Sequence, residues 1–130
     1  MMKKILLGLT LGIALFASCS KEVKQEEIVM QAAKAYYDQL LAGDVNSFVE
    51  GTLKGDTLPE DYREQLLLNA QMFLELQQKE HGGIKSIEPV RATCDTTGLA
   101  NAYLVLCYGD STREEIVVPM VRRNDLWYLR

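Results

Sequence analysis

The sequence has little of the chemistry from which most active sites are built. Its 130 residues contain one histidine and three cysteines, and they form no Cys-x-x-Cys pair, no phosphate-binding glycine loop and no Gly-x-Ser-x-Gly elbow. One histidine and no spaced set of carboxylates offer too few ligands for a metal ion. We therefore expect no metal site and no cofactor, and no motif assigns a catalytic residue.

Positive charge is also scarce. The chain has 14 basic and 18 acidic side chains, and its longest basic cluster is the pair Arg122–Arg123. The net charge of −4 repels phosphates, so nucleic acid is not expected as a partner. Hydrophobic residues make up 48% and charged residues 25%, which is ordinary for one globular domain.

The first eighteen residues have the composition of an export signal. Two lysines precede an uncharged, mostly apolar run from Ile5 to Phe16. This run is shorter than the ~20 residues that cross a bilayer, but it fits the apolar region of a signal peptide. Two small residues then lead into Cys19. The stretch resembles the bacterial lipoprotein signal, whose cysteine thiol accepts a diacylglyceryl group.

This resemblance implies three parts of the chain: a signal peptide over residues 1–18, a polar tether over residues 19–25 and a domain over residues 26–130. Lipidated Cys19 would bind the protein to a membrane of the cell envelope. Ser20 stands where inner-membrane lipoproteins of enterobacteria often carry Asp, so the resemblance implies the outer membrane, on its periplasmic or its surface side. An ordinary secretory signal and an uncleaved anchor are the alternatives.

The segment after the tether predicts three helices. Apolar residues recur at three- and four-residue intervals from Glu26 to Ala42, Gly43 is placed to end this helix, and Asp44 is placed to cap a short second one. A capping box at Thr57–Glu60 begins the third helix, which ends near Glu80. The predicted buried side of that helix consists of Tyr62, Leu66, Ala70, Phe73 and either Leu76 or Gln77.

From Ile84 onward the apolar pattern is typical of strands. Turn residues separate four of them, and Asn124-Asp125 predicts a tight hairpin. The strands are expected at Lys85–Asp95, Leu99–Tyr108, Glu114–Arg123 and Leu126–Arg130. Two or three helices followed by four antiparallel strands predict an α+β domain, with the helices packed on one face of a curved sheet.

Two stretches resemble nuclear transport factor 2-like (NTF2-like) domains, which are also called cystatin-like. Residues 33–48, AKAYYDQLLAGDVNSF, match the aromatic, leucine, Gly-Asp and phenylalanine pattern of their first helix corner. Residues 124–129, NDLWYL, are similar to their final hairpin. The chain as a whole is similar to small Bacteroidetes lipoproteins without an assigned function. The resemblance implies a cone-shaped pocket between the helices and the sheet.

Enzymes of this family place an acidic or histidine base and a tyrosine hydroxyl in that pocket. No such position carries over to this sequence. His81 is interpreted as a solvated cation at a helix end, and Asp38 and Glu88 are expected to be solvated. The sequence therefore favours a non-enzymatic module, and an isomerase, dehydratase or hydrolase is the alternative.

The resemblance and the aromatic residues together predict a ligand pocket. Its expected lining consists of Tyr37, Tyr62, Phe73, Tyr103 and Trp127. We expect it to bind a small ligand or a partner protein of the envelope. Related domains often pair through the open face of the sheet, which implies a homodimer or a structural dimerisation module. Exposed apolar residues alternating along Glu114–Val121 would support that pairing.

Cys94 and Cys107 are expected to be buried, free thiols. Counting outward from the first hairpin turn pairs Cys94 with a residue near 100–101 and Cys107 with one near 87–88. That separation exceeds the ~7 Å between Cα atoms that a disulfide allows. A bulge or a slipped register would permit the bond.

Lipidation of Cys19 can be tested by feeding cells a palmitate analogue. Wild type should be labelled, and Cys19→Ala should lose the label because its thiol is the acyl acceptor. Cys94→Ala is the matched control and should be labelled like wild type. Equal labelling of wild type and Cys19→Ala would contradict the anchor.

Overall fold

A computed structural model describes residues 25–52 and 59–130 of the chain. The signal peptide, Cys19 and all but the end of the tether lie outside the described residues, as does Thr57 of the predicted capping box. The elements are α1 over residues 25–41, α2 Val45–Glu50, α3 Glu60–His81, β1 Ile84–Cys94, β2 Leu99–Tyr108, β3 Arg113–Arg123 and β4 Leu126–Leu129. The strands form one antiparallel sheet in the order β1-β2-β3-β4, so the predicted α+β class is confirmed. Across the described residues, no helix combines the length and apolar character needed to cross a membrane.

The corner between α1 and α2 follows from two adjacent residues. Gly43 has φ 87°, a left-handed conformation that glycine adopts without steric cost. Asp44 caps α2, because its carboxylate accepts hydrogen bonds from the backbone N–H of Ser47 at 3.2 Å and from the Ser47 hydroxyl at 2.6 Å. The predicted end of α1 and start of α2 are confirmed.

The core lies between α1 and one face of the sheet. Residues of β2 alternate between buried and half-buried, so Leu104 and Leu106 point at the helix while Tyr103 and Val105 point away. Val29 and Ala33 of α1 are fully buried against that face. Further core residues come from all four strands: Ile84, Ile87, Ala92, Ala100, Ala102, Tyr108, Val118, Met120, Trp127 and Leu129.

Two prolines lie in strands without disrupting the ladder. Pro89 is in the edge strand β1, where the register shifts between Pro89 and Arg91. Pro119 is in β3, and its carbonyl accepts a hydrogen bond from the N–H of Arg130, just past the end of β4. In an antiparallel pair the N–H and C=O of one residue point to the same neighbouring strand. The nitrogen of Pro119, which carries no hydrogen, therefore faces the side where β4 ends.

Helix α3 is more exposed than the sequence predicted. Of the alternatives Leu76 and Gln77, Leu76 is 48% exposed and Gln77 is half-buried. Tyr62 is 52% exposed, so the prediction that it faces the core is wrong. The reason is that α3 packs on the corner between α1 and α2, where Leu40, Val45 and Ala70 form a second, smaller core. The spacing of apolar residues along α3 identifies an apolar side of the helix. It does not determine which residues of that side are buried, because the elements that cover them come from elsewhere in the chain.

The two later cysteines are free thiols, and neither is buried as expected. Cys94 is exposed because it ends the edge strand β1, and Cys107 is half-buried. Cys94 pairs with Ala100 and Cys107 pairs with Ser86, so the hairpin separates the two thiols along the sheet.

A junction at Gly51 joins the helices to the last strand. The Tyr36 hydroxyl donates a hydrogen bond to the carbonyl of Trp127 at 2.7 Å, and the N–H of Leu129 donates to the carbonyl of Gly51 at 2.7 Å. Thr52 continues this contact as a parallel bridge to Leu129. The ring of Tyr36 passes directly over Gly51, where a Cβ atom would overlap its Cδ1 and Cε1 atoms.

The junction predicts that Gly51→Ala destabilises the fold. Gly51 has an ordinary right-handed φ of −75°, so alanine adds no backbone strain and the cost comes from overlap with the Tyr36 ring. Overpacking of this kind costs about 1–3 kcal/mol of the free energy of unfolding, measurable by urea denaturation. In a Tyr36→Ala background the same substitution should cost much less. An equal cost in both backgrounds would show that the ring is not the cause.

Candidate functional site

A pocket opens between the three helices, and we call it the helix pocket. Its volume is about 210 Å³. The lining residues are Tyr37, Leu40, Phe48, Val49, Thr52, Leu66, Asn69, Ala70 and Phe73. Six of these side chains are apolar, and Tyr37, Thr52 and Asn69 supply the polar groups among the described lining. None of the nine is acidic, basic or histidine, so the described lining can exclude water and form few hydrogen bonds.

Tyr37 is the most distinctive residue of the helix pocket. Its ring meets Phe48 edge to face, with 5.3 Å between ring centroids and an interplanar angle of 84°. Burial raises the pKa of the Tyr37 hydroxyl above its usual value of 10.0, so the group stays protonated at neutral pH. No hydrogen bond joins this hydroxyl to another residue within 25–52 and 59–130.

The structure separates the five residues predicted to line a pocket. Tyr37 and Phe73 lie together in the helix pocket. Trp127 is buried in the core between α1 and the sheet and does not line the pocket. Tyr62 lies exposed on α3. Tyr103 lies on the opposite face of the sheet, beneath the guanidinium of Arg91 at 3.9 Å from the ring centroid.

A signal in the sequence could have separated Tyr103 from Trp127. The Asn124-Asp125 turn pairs Trp127 with Arg122, and the next hairpin pairs Tyr103 with Val117. Val117 and Arg122 are an odd number of residues apart on one strand, so their cross-strand partners point to opposite faces. Apolar spacing predicts that Leu66 is buried, but no local signal places it beside Val49, because the two come together only when α3 packs on α2.

The two carboxylates considered as bases do not reach the helix pocket. Asp38 of α1 forms an ion pair with Lys34 at 2.6 Å. Glu88 is exposed on the open face of the sheet, where it accepts hydrogen bonds from the Cys107 thiol at 3.2 Å and from Arg113 at 3.0 Å. The thiol first, and then the guanidinium, lower the pKa of Glu88.

His81 takes part in a polar cluster at the end of α3. Its Nδ1 lies 2.9 Å from a carboxylate oxygen of Asp110, and its ring stacks on Tyr108 with 4.2 Å between centroids. Thr112 donates a 2.5 Å hydrogen bond to the same carboxylate, and the N–H of Asp110 bonds the carbonyl of His81 at 2.8 Å. The interpretation of His81 as a solvated cation is therefore corrected: it connects α3 to the β2–β3 turn.

Neither free thiol is arranged for nucleophilic catalysis. Burial is the main cause that raises the pKa of Cys94, which disfavours the reactive thiolate. Cys107 donates its hydrogen bond to Glu88, and no contact among the described residues joins either thiol to His81. Residues 25–52 and 59–130 also contain no group of three side chains suited to a metal ion.

The open face of the sheet is a second exposed surface. Val117, at its centre, is 53% exposed and pairs with Tyr103. Charged pairs flank it, with Arg91 bound to Glu115 at 3.3 Å. On this face of Glu114–Val121, Val117 is exposed, whereas Pro119 and Val121 are half-buried. The homodimer stays a prediction.

The comparisons with known proteins concern the fold. Neither a family model nor a curated protein matches the sequence. Among solved structures, the chain is similar to a Campylobacter jejuni protein described as a candidate NTF2-like transpeptidase, with a TM-score of 0.61 at 13% identity. The similarity covers 75% of this chain and 92% of the other. The chain has the NTF2-like fold. At this identity the likeness shows the NTF2-like fold alone and carries no activity with it.

The polar cluster at His81 predicts how the free energy of unfolding changes with pH in the acid range. Hydrogen bonds from Thr112 and then His81 lower the pKa of Asp110 from 3.8 to about 2. A carboxyl with a depressed pKa in the folded state stabilises that state above its ordinary pKa, and the contribution is lost as the pH falls through about 2. Asp110→Asn should therefore flatten the loss of stability between about pH 4 and pH 2, measured by urea midpoints.

The matched control is Asp125→Asn in the β3–β4 turn. The Asp125 side chain makes no hydrogen bond to a described residue, so this variant should keep the wild-type slope. An Asp110→Asn variant with the same acid slope as wild type would contradict the role of the cluster.

Proposed function

We propose that the chain is a membrane-anchored envelope lipoprotein whose NTF2-like domain binds a small apolar ligand in the helix pocket. The observation that carries the proposal is the lining: six apolar side chains surround about 210 Å³, and Tyr37 offers a half-buried hydroxyl. Ligand sites are concave, mostly apolar, and contain a few placed polar groups that fix orientation. A stable protein interface buries at least ~1,000 Å², which a pocket of this size does not provide.

Binding is supported better than catalysis. A general base must come within about 3 Å of the proton that it removes. Asp38, Glu88 and His81 each have partners outside the helix pocket, and its described lining has no group that takes up a proton near neutral pH. The remaining polar atoms can orient a ligand by hydrogen bonds, and none of them belongs to a carboxylate or an imidazole.

The anchor is proposed from the sequence, since Cys19 lies outside the described residues. A cysteine that follows an apolar run and two small residues, before a polar tether, supports lipidation. Each buried CH₂ of an acyl chain contributes about 0.8 kcal/mol, so several chains together anchor a protein stably. Confinement at a membrane, with the outer membrane favoured, would raise the local concentration of the domain near its ligand.

The binding proposal is tested with a neutral fluorescent probe, N-phenyl-naphthylamine, whose phenyl ring is small enough to enter the helix pocket. The probe is titrated into the full-length Cys19→Ala chain. Leu66 lines the helix pocket, so Leu66→Trp should fill it and weaken binding of the probe at least about tenfold, which corresponds to ~1.4 kcal/mol. Fluorescence titration gives the Kd.

Leu68→Trp is the matched control, because Leu68 lies on the same helix, is 49% exposed and does not line the pocket. It should bind the probe like the parent chain. If both tryptophan variants bind like the parent, or if both lose binding equally, the helix pocket is not the site.

A further inference from the structure

The helix pocket is too small for most of the ligands that such sites hold. Ligand pockets commonly enclose about 300–1,000 Å³, and a cavity of about 150 Å³ holds one benzene ring. The 210 Å³ of the helix pocket therefore accommodates one ring or the end of one chain. If the proposed function holds, a larger ligand must extend out of the pocket, and the path that it takes should be visible on the surface.

A shallow depression continues the pocket along α3. It shares Asn69 and Phe73 with the helix pocket, and its volume is about 530 Å³. We call this depression the α3 trough, and it is lined by Asn69, Met72, Phe73, Glu75, Leu76 and Lys79. Met72 is 57% exposed and Leu76 is 48% exposed, so an apolar path leads from the pocket along the helix surface.

The far end of the α3 trough carries one charge of each sign. Glu75 and Lys79 are four residues apart on one helix, so their Cβ atoms lie about 5–6 Å apart. No ion pair within the described chain engages either of them. Glu75 and the protein's net charge of −4 would repel a ligand with a negatively charged head group. A head group that carries both charges can pair with Glu75 and Lys79 at the same time.

We propose that the helix pocket and the α3 trough together bind a single-chain amphiphile with a zwitterionic head, the chemistry of a lysophospholipid. The chain end enters the helix pocket, its middle lies on Phe73, Met72 and Leu76, and its phosphate and ammonium groups meet Lys79 and Glu75. Phe73, which lines both the pocket and the trough, is six residues from Lys79 along α3, a helix rise of about 9 Å that a decyl chain spans. This inference rests on the proposed function and adds the class of ligand.

The test is calorimetric titration of decylphosphocholine, below its micelle concentration, into the full-length Cys19→Ala chain. Leu76→Gln should weaken binding about fivefold or more, because it places an amide on the apolar path. Leu68→Gln, on the same helix outside the trough, is the matched control and should leave the affinity unchanged. Glu75→Gln and Lys79→Gln should each weaken binding roughly two- to fivefold, as exposed charges do.

Three further amphiphiles with ten-carbon chains test which head group is recognised. The protein should bind decanoate, decyltrimethylammonium and decyl maltoside each more weakly than decylphosphocholine. Equal affinity for all four, with no effect of Glu75→Gln or Lys79→Gln, would overturn the assignment of the head. No effect of Leu76→Gln would overturn the path along α3.

The two proposals can fail separately. If Leu66→Trp weakens the binding of N-phenyl-naphthylamine while Leu76→Gln leaves the affinity for decylphosphocholine unchanged, the helix pocket is the site and the amphiphile is not its ligand. If neither variant changes the affinity for its probe, both proposals are wrong. Weaker binding in both assays, with no change for the two Leu68 control variants, supports the amphiphile.

Discussion

The contact on which the helix pocket depends is the crossing of Tyr36 over Gly51. The Tyr36 hydroxyl reaches the carbonyl of Trp127 only because residue 51 has no side chain, and the carbonyl of Gly51 then holds the N–H of Leu129. These two hydrogen bonds fix α1 and the end of α2 to the last strand. Val49 and Thr52 lie on either side of the crossing, so the position of the pocket wall is set by a contact between distant parts of the chain.

Local chemistry made much of the fold predictable from the sequence. The Gly43-Asp44 corner and the Asn124-Asp125 hairpin are decided by backbone conformations and caps that involve only a few neighbouring residues. The four strands follow from alternation in the same way. Features of this kind can be inferred from the sequence because the residues that decide them are adjacent in it.

Features decided by distant contacts were harder to infer. Tyr62 and Leu76 have the spacing of a buried helix face, but α3 lies over the corner between α1 and α2 and leaves them exposed. Tyr37 and Phe73 lie together in the helix pocket, whereas Tyr103, which was grouped with them by its chemistry, lies across the sheet. Aromatic composition can indicate that a pocket exists, but long-range register determines which aromatic residues line it.

The two edges of the sheet have consequences for how the protein behaves when many copies are crowded together. An unprotected edge strand offers free N–H and C=O groups to a neighbouring molecule and is a route to aggregation. On β1, Pro89 and the register shift beside it interrupt that row of groups. On the outer side of β4, the N–H of Leu129 already donates to the carbonyl of Gly51, and Thr52 bridges the same residue. Both edges are thus poor templates for strand addition, which disfavours edge-to-edge aggregation when copies of this domain are close together.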